Sequence, residues 1–212
     1  MLGLPVLFFL SNGFWSMLRG DPVDRAAFTN ARLLTTLAGE VVIAAFLVVW
    51  LARRGWVAAK ELGRPSARDL ARGGVLWVVT FAIGRLASSV ISLVAPDFLA
   101  AARASPIYGA LSWWAALAAL VINPLFEEGL WLAYGVSTLR HSIGLRAAAL
   151  ASITLRVLVH YNQGPHALIS VLPVALVFTF YYLRTGRLWP VIVAHVTINA
   201  FGFADFVSTV RS

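Results

Sequence analysis

The chain is written as long apolar runs separated by short polar turns. The runs lie at roughly 2–18, 33–52, 74–95, 107–136, 146–161, 166–183 and 188–207, most of them near the ~20 residues that carry an α-helix across a bilayer. Inside each run apolar residues follow one another without the strict alternation of barrel strands, so helices are predicted and a β-barrel is not. The expected fold class is all-α, a polytopic membrane helical bundle of about seven transmembrane helices. The first run, interrupted by Ser11, Asn12 and Gly13, has the weakest pattern and could be re-entrant. No internal repeat, low-complexity tract or soluble domain breaks the series. Two parts are expected: N-terminal transmembrane helices over 1–106, with a basic loop at 53–72, and a membrane core over 107–212 that holds the candidate chemistry.

Composition sharpens this picture. Of 212 residues, 60% are hydrophobic and 12% charged, against roughly 45–50% and 25% in a soluble domain. A domain of this size has too little interior to hide so much apolar surface, so hydrocarbon must solvate much of it and the lipid bilayer is the first partner. The low polarity excludes disorder, and the absence of cysteine excludes both a disulfide scaffold and thiolate chemistry.

The formal net charge is +8, yet the basic residues sit at the ends of apolar runs and do not interleave with aromatics on a polar face. That placement suits lipid headgroups and topology signals, and no nucleic-acid partner is expected. Arg53, Arg54, Lys60, Arg64, Arg68 and Arg72 place their loop in the cytoplasm by the positive-inside rule. By alternation the turns of Arg140 with Arg146 and of Arg184 with Arg187 fall on the same side, and the segment around Asp97 and Arg103 falls outside. The loop of Arg19, Arg25 and Arg32 also lands outside, against the rule, tempered by Asp21 and Asp24. Trp15, Trp50, Trp56, Trp77 and Trp189 are expected near span ends as interfacial indoles. The charge-poor start, Met1 to Pro5, lacks the basic region of a secretory signal and is kept as mature protein. Sixteen of the seventeen basic residues are Arg, a bias that suits a bacterial inner-membrane protein of a GC-rich genome.

Ionisable groups at membrane depth cost about 2.5–3.5 kcal/mol each on insertion scales and are functional candidates by default. They concentrate in three runs: Glu127 and Glu128 after Asn123 and Pro124, Arg156 and His160 in the next run, and His195 and Asn199 in the last. Counted at ~1.5 Å per residue, Glu127, His160 and His195 come out between ~12 and ~21 Å below the cytoplasmic surface, where they could meet. His195 with Asn199, and Arg156 with His160, are spaced i, i+4 and share a helix face. Glu127 and Glu128 diverge by ~100° on a regular helix, so they are not expected to reach the same atom unless the helix is distorted, for which Pro124 is a candidate. One carboxylate is then expected to face a reacting centre and the other a structural partner.

A carboxylate and an imidazole can activate water, while a second imidazole and a carboxamide can donate to an oxyanion. This chemistry hydrolyses a peptide or ester bond without a Ser or Cys nucleophile. Zn²⁺ is allowed but no cofactor is required; were a metal present, Glu127, His160 and His195 would be its ligands, although no H-E-x-x-H spacing occurs.

Three blocks carry a family resemblance: Asn123-Pro-Leu-Phe-Glu-Glu, His160-Tyr-Asn-Gln-Gly-Pro, and Tyr182 to Asn199, which reads Tyr-Leu-Arg-Thr-Gly-Arg-Leu-Trp-Pro-Val-Ile-Val-Ala-His-Val-Thr-Ile-Asn. In this order, over about 113–203, the chain resembles the CAAX-protease and bacteriocin-processing (CPBP) group of intramembrane endopeptidases, which includes the type II CAAX prenyl proteases. The resemblance implies a catalytic core over 107–212 in which Glu127 and His160 activate water, His195 and Asn199 stabilise the oxyanion, and Glu128 supports the site. It implies a peptide or protein substrate, membrane-associated or of prenylated type. The family has been labelled metalloprotease, but a glutamate-activated water is the favoured reading.

Two positions depart from the family pattern. Leu132 stands where the first block usually has Arg, and Arg156 stands where an aromatic usually precedes the histidine. Arg156 is therefore expected to pair with Glu128 from a neighbouring helix. Glu40 and Arg85 are expected to pair with each other or with other polar groups of the bundle, with no chemistry assigned. His141 and His166 are read as surface residues, and Trp113, Trp114 and Trp131 as packing. The competing class is a non-enzymatic membrane protein of the same fold: an immunity factor, a scaffold or a small transporter.

Overall fold

The computed structural model describes residues 29–53, 63–103, 112–160 and 165–210, with backbone alone for 32, 101–103, 165–168 and 204–210. The run 2–18, Arg19, Arg25, Trp15, Trp56, Tyr161 to Gly164 and the side chains of His166 and Asp205 lie outside the described residues. Every described element is helical: α1 (Asn30–Ala52), α2 (Ala67–Val94), α3 (Pro96–Arg103), α4 (Trp113–Glu128), a π-helical turn pair (Gly129–Val136), α5 (Ser137–Ile143), α6 (Leu145–Val159), α7 (Pro165–Thr185) and α8 (Trp189–Val210).

Among the described residues, three stretches are long and apolar enough to cross a bilayer, Leu33–Ala52, Ala67–Val94 and Trp113–Ile143; Ile169–Thr185 and Trp189–Phe203 are shorter apolar helices. At 15 residues, α6 spans only ~22 Å, less than the ~30 Å hydrocarbon core. The outward faces of α1 and α2 carry a near-continuous apolar surface, including Val42, Phe46, Val75, Phe81, Leu86 and Leu93. No soluble monomer exposes a patch of this kind, and lipid is its natural solvent.

Helix α2 begins seven residues before the apolar run at 74, because a polar cap stabilises its first turn. Asp69 Oδ2 accepts from the Ser66 backbone N–H at 2.9 Å and from the Ser66 hydroxyl at 2.7 Å, satisfying donors that an uncapped helix start leaves open. Arg68 and Arg72 therefore belong to a helix and not to a loop. Trp77, expected at a span end, lies well inside α2 and stacks on Phe201 of α8 at 4.7 Å. Trp113 and Trp114, expected to be packing residues, are exposed at the start of α4, whereas Trp131 is buried.

The rod from α4 through the π turns to α5 ends at Gly144, whose φ of 82° suits a residue without Cβ and turns the chain into α6. The basic turns collect at one end of the bundle. One cavity is lined by residues 66–68, Arg72 and Arg187, and a second by Arg140, Leu145, Tyr182 and Gly186.

The apolar core flanks the polar residues on two sides. Leu76, Leu132, Val136, Phe178, Leu188, Val191 and Ile192 join α2, the π turns, α7 and α8, while Leu47, Phe126, Leu130, Trp131 and Tyr134 join α1 to the α4 rod. At the tightest approach, a Cβ on Gly73 of α2 would lie 2.5 Å from Val193 Cγ1 and 3.0 Å from the Pro190 carbonyl of α8. A Cβ on the adjacent Gly74 would meet nothing within 4 Å. Gly73→Ala is expected to destabilise by about 1–3 kcal/mol through overpacking. Gly74→Ala should instead be neutral or stabilising by up to ~1 kcal/mol through helix propensity. Thermal unfolding of the two variants in the same detergent separates them, and equal midpoints would contradict the close α2–α8 contact.

Candidate active site

The polar residues of three helices converge between the two apolar clusters. Glu128, at the end of α4, is fully buried, and its Oε1 accepts from Arg156 Nη2 of α6 and lies 2.6 Å from His195 Nδ1 of α8. Arg156 Nη2 also lies 3.5 Å from Glu127 Oε2. Adjacent glutamates thus reach one nitrogen, contrary to the expectation from a 100° separation. The backbone is regular α-helix at both residues, and the π turns start only after Glu128. Two flexible side chains of three torsions each bring the carboxylates together.

The π turns have a different consequence. Wider turns leave backbone groups out of the α-helical register, and the Trp131 carbonyl accepts a 2.9 Å bond from the buried hydroxyl of Ser152 on α6. Ala148, Ser152 and Arg156 recur at i, i+4 and are all buried. Two small residues let α6 approach the rod closely, and the next turn of the same face delivers the guanidinium. Position 132, where the family's arginine would stand, is a fully buried leucine among Leu76, Val136, Phe178 and Ala194. The cation comes from α6 as the sequence suggested, with the Phe178 ring 5.8 Å from its Cζ.

Glu127 faces a different set. Its Oε1 accepts from Asn123 Nδ2 at 2.9 Å and lies 3.6 Å from His160 Nε2. The His160 ring is oriented by its Nδ1, 2.8 Å from the Arg156 carbonyl one turn back. The side chains of Glu127 and His160 remain 13% and 18% exposed, against 0% for Glu128. The two adjacent glutamates are therefore unequal: one is sealed between Arg156 and His195, the other oriented toward an accessible imidazole.

Asn123 and Glu40 are the residues that sequence reasoning did not place in the site. Asn123 Nδ2 also donates to Glu40 Oε1 of α1 at 2.9 Å, and Asn123 Oδ1 accepts from Asn199 Nδ2 at 3.4 Å. Glu40 is 2% exposed, and its Oε2 is buried without a hydrogen-bond partner, as are Glu128 Oε2 and Arg156 Nη1. Of the alternatives for Glu40, the pairing with a bundle polar group holds, while Arg85 lies on the exposed face of α2. The available signal was Asn123 itself, a full turn before Glu127 on the same face.

All the expected site residues thus meet in one connected network, although the two cavities at the basic end are lined by other residues. The donor set closest to a metal site is Glu127, Glu128 and His195, with ligand atoms within 4.8 Å of one another. This differs from the expected set, since Glu128 replaces His160. The Arg156 guanidinium contacts both of these carboxylates, occupying with its own charge the position a cation would take, so the residues fit a metal poorly.

An all-helical membrane protein with a buried Glu, Arg and His network defines the class. Residues 108–201 match the family model described as type II CAAX prenyl endopeptidase Rce1-like, and over this segment the chain is similar to the CAAX-protease and CPBP family. No curated protein and no solved structure matches the chain. The segment contains every site residue except Glu40.

Removing Arg156 leaves a carboxylate in the core without its cation. Arg156→Leu is expected to cost about 3–5 kcal/mol, and Glu128→Leu combined with Arg156→Leu should recover most of it. Thermal unfolding of the single and double variants measures the coupling; additive losses would refute a direct buried pair.

Proposed function

We propose that the protein is an intramembrane endopeptidase that hydrolyses a peptide bond of a membrane-associated or prenylated polypeptide with a glutamate-activated water. The family match supports a CAAX-type endopeptidase in general. The observation that carries the mechanism is the inequality of the two glutamates: Glu128 is closed off by Arg156 and His195, while Glu127 is held by Asn123 and turned toward His160.

Glu127 Oε1 and His160 Nε2 stand 3.6 Å apart, a spacing at which one water can contact both. Glu127 takes a proton from that water as its oxygen attacks the scissile carbonyl, and the electron pair moves to the carbonyl oxygen. His195, anchored through Nδ1 by Glu128, presents Nε2, and a proton there donates to the developing oxyanion. Asn199 sits one turn along the same face, with one amide hydrogen directed to Asn123 and a second left for the oxyanion. Collapse breaks the C–N bond, and the proton held by Glu127 passes to the leaving nitrogen, yielding a carboxylic acid and an amine. Arg156 neutralises the paired carboxylates in this reading and makes a resident dication unnecessary. We further read the chain as multi-pass with about seven spans, with its basic end in the cytoplasm of a bacterial inner membrane.

Glu127→Gln is expected to lower the cleavage rate of a farnesylated CAAX peptide by about 10²–10⁴, the usual worth of a general base, with unchanged protein level and folding. Chelation by 1,10-phenanthroline should leave the wild-type rate intact. A retained rate in Glu127→Gln would remove Glu127 as the base, no cleavage by the wild type would point to a binding or scaffolding role, and a chelator-sensitive rate to a metal.

Glu40 acts through Asn123 as a positioning residue. Glu40→Gln keeps an acceptor for the Asn123 amide and should retain most activity, while Glu40→Leu should lower kcat about tenfold with little change in KM. Equal kcat in the two variants would remove Glu40 from the site.

A further inference from the structure

The cavity at the basic end is built from groups that the proposed chemistry does not use. It is an open depression of about 510 Å³ lined by Ser66, Ala67, Arg68, Arg72 and Arg187. Arg187 is fixed in place: its Nε donates to Asp69 Oδ1 at 2.9 Å and its Nη2 to Asp69 Oδ2 at 2.8 Å. Asp69 is 1% exposed and is itself held by Ser66. This bidentate pair raises the Arg187 guanidinium above its ordinary range and gives the cavity a rigid cationic wall.

Arg68 and Arg72 complete the lining one turn apart on α2 and are exposed. Like charges at i, i+4 repel, and Asp69, the carboxylate on this turn, has both oxygens committed to Arg187 and Ser66. Three arginines against one carboxylate leave an excess of two positive charges around one space, beside the N-terminus of a helix of 28 residues whose dipole adds to the field. An anion with several acceptor oxygens satisfies all of these groups at once.

The location selects the source of that anion. Leu70 and Val75, on either side of Arg72 in the chain, are each 64% exposed and begin the apolar surface of α2. The Trp189 indole lies at this end and donates to the Gly63 carbonyl at 2.9 Å, as interfacial indoles do. The cavity therefore opens where the lipid-facing surface begins, at the level of headgroups.

We propose that Arg68, Arg72 and Arg187 form a binding site for the phosphate of an anionic phospholipid headgroup. The site clasps the start of α2 to the turn before α8, the two helices that pack most tightly, so a bound headgroup stabilises the fold from its edge. Basic pockets between membrane helices recognise lipid phosphates in this way.

The test is a lipid titration of the full chain in detergent, read by native mass spectrometry, with dioleoylphosphatidylglycerol against dioleoylphosphatidylcholine. The wild type should retain phosphatidylglycerol saturably and phosphatidylcholine weakly. At about fivefold per arginine, Arg68→Gln with Arg72→Gln should weaken phosphatidylglycerol binding about 25-fold, and Arg140→Gln, at the same end but outside this cavity, less than twofold. Ala67→Glu adds a carboxylate to the lining at a helix start that tolerates one, and should weaken binding without disturbing the fold. Binding by the double variant or by Ala67→Glu within twofold of wild type overturns the site. An equal loss in Arg140→Gln shows diffuse charge attraction and overturns it as well. Full competition by inorganic phosphate at the lipid's concentration overturns the lipid as ligand.

Discussion

The structure hangs on a buried ion pair, Arg156 with Glu128, whose members could not exist singly in its core. Glu128, Arg156 and His195 come from α4, α6 and α8 and are 0%, 2% and 8% exposed. Taking a carboxylate or a guanidinium ion out of water costs several kcal/mol, and only a well-placed partner of opposite charge and further hydrogen bonds offset it. The three helices are therefore restricted to arrangements in which Arg156 reaches the Glu128 carboxylate and His195 closes its other side. Apolar packing of the two flanking clusters tolerates many small shifts of one helix along another, but this polar contact does not.

That restriction explains why two neighbouring glutamates can differ so much. Glu128 is spent on holding helices together and has little freedom left. Glu127 inherits a carboxyl position set by its neighbour and adjusted by Asn123, with its remaining oxygen contact toward His160. Structural and chemical roles are thereby divided between consecutive residues, and the rigidity of the first preorganises the second. The π turns that follow place Ala148 and Ser152 close against the rod, which is what brings Arg156 within reach.

A good part of this was legible in the chain. Unbroken apolar runs predict helices because a lone polar backbone is intolerable in lipid, and the expectation that Glu127, His160 and His195 could meet followed from rise per residue alone. The pairing of Arg156 with Glu128 was inferred from the absence of an arginine at 132, since a buried carboxylate demands a cation from somewhere. The helix boundaries were less legible: α2 starts earlier than hydropathy shows because Ser66 and Asp69 cap it, and a cap is an interaction of two particular side chains, invisible to an average over a window. Trp77 was misplaced for a similar reason, because its stacking partner, Phe201, is remote in sequence.

The sequence by itself determined the solvent, the helical class and the identity of the polar groups that must be paired, because each follows from local composition or from spacing along one helix. Only the tertiary structure decided which partners they take. Glu40, read as a residue without chemistry, reaches the site through Asn123 because α1 packs on α4, and Glu128 is the group that lies against both Arg156 and His195, while His160 faces Glu127. Contacts between separate helices depend on crossing geometry and close approach, and one chain's linear order does not encode these residue by residue.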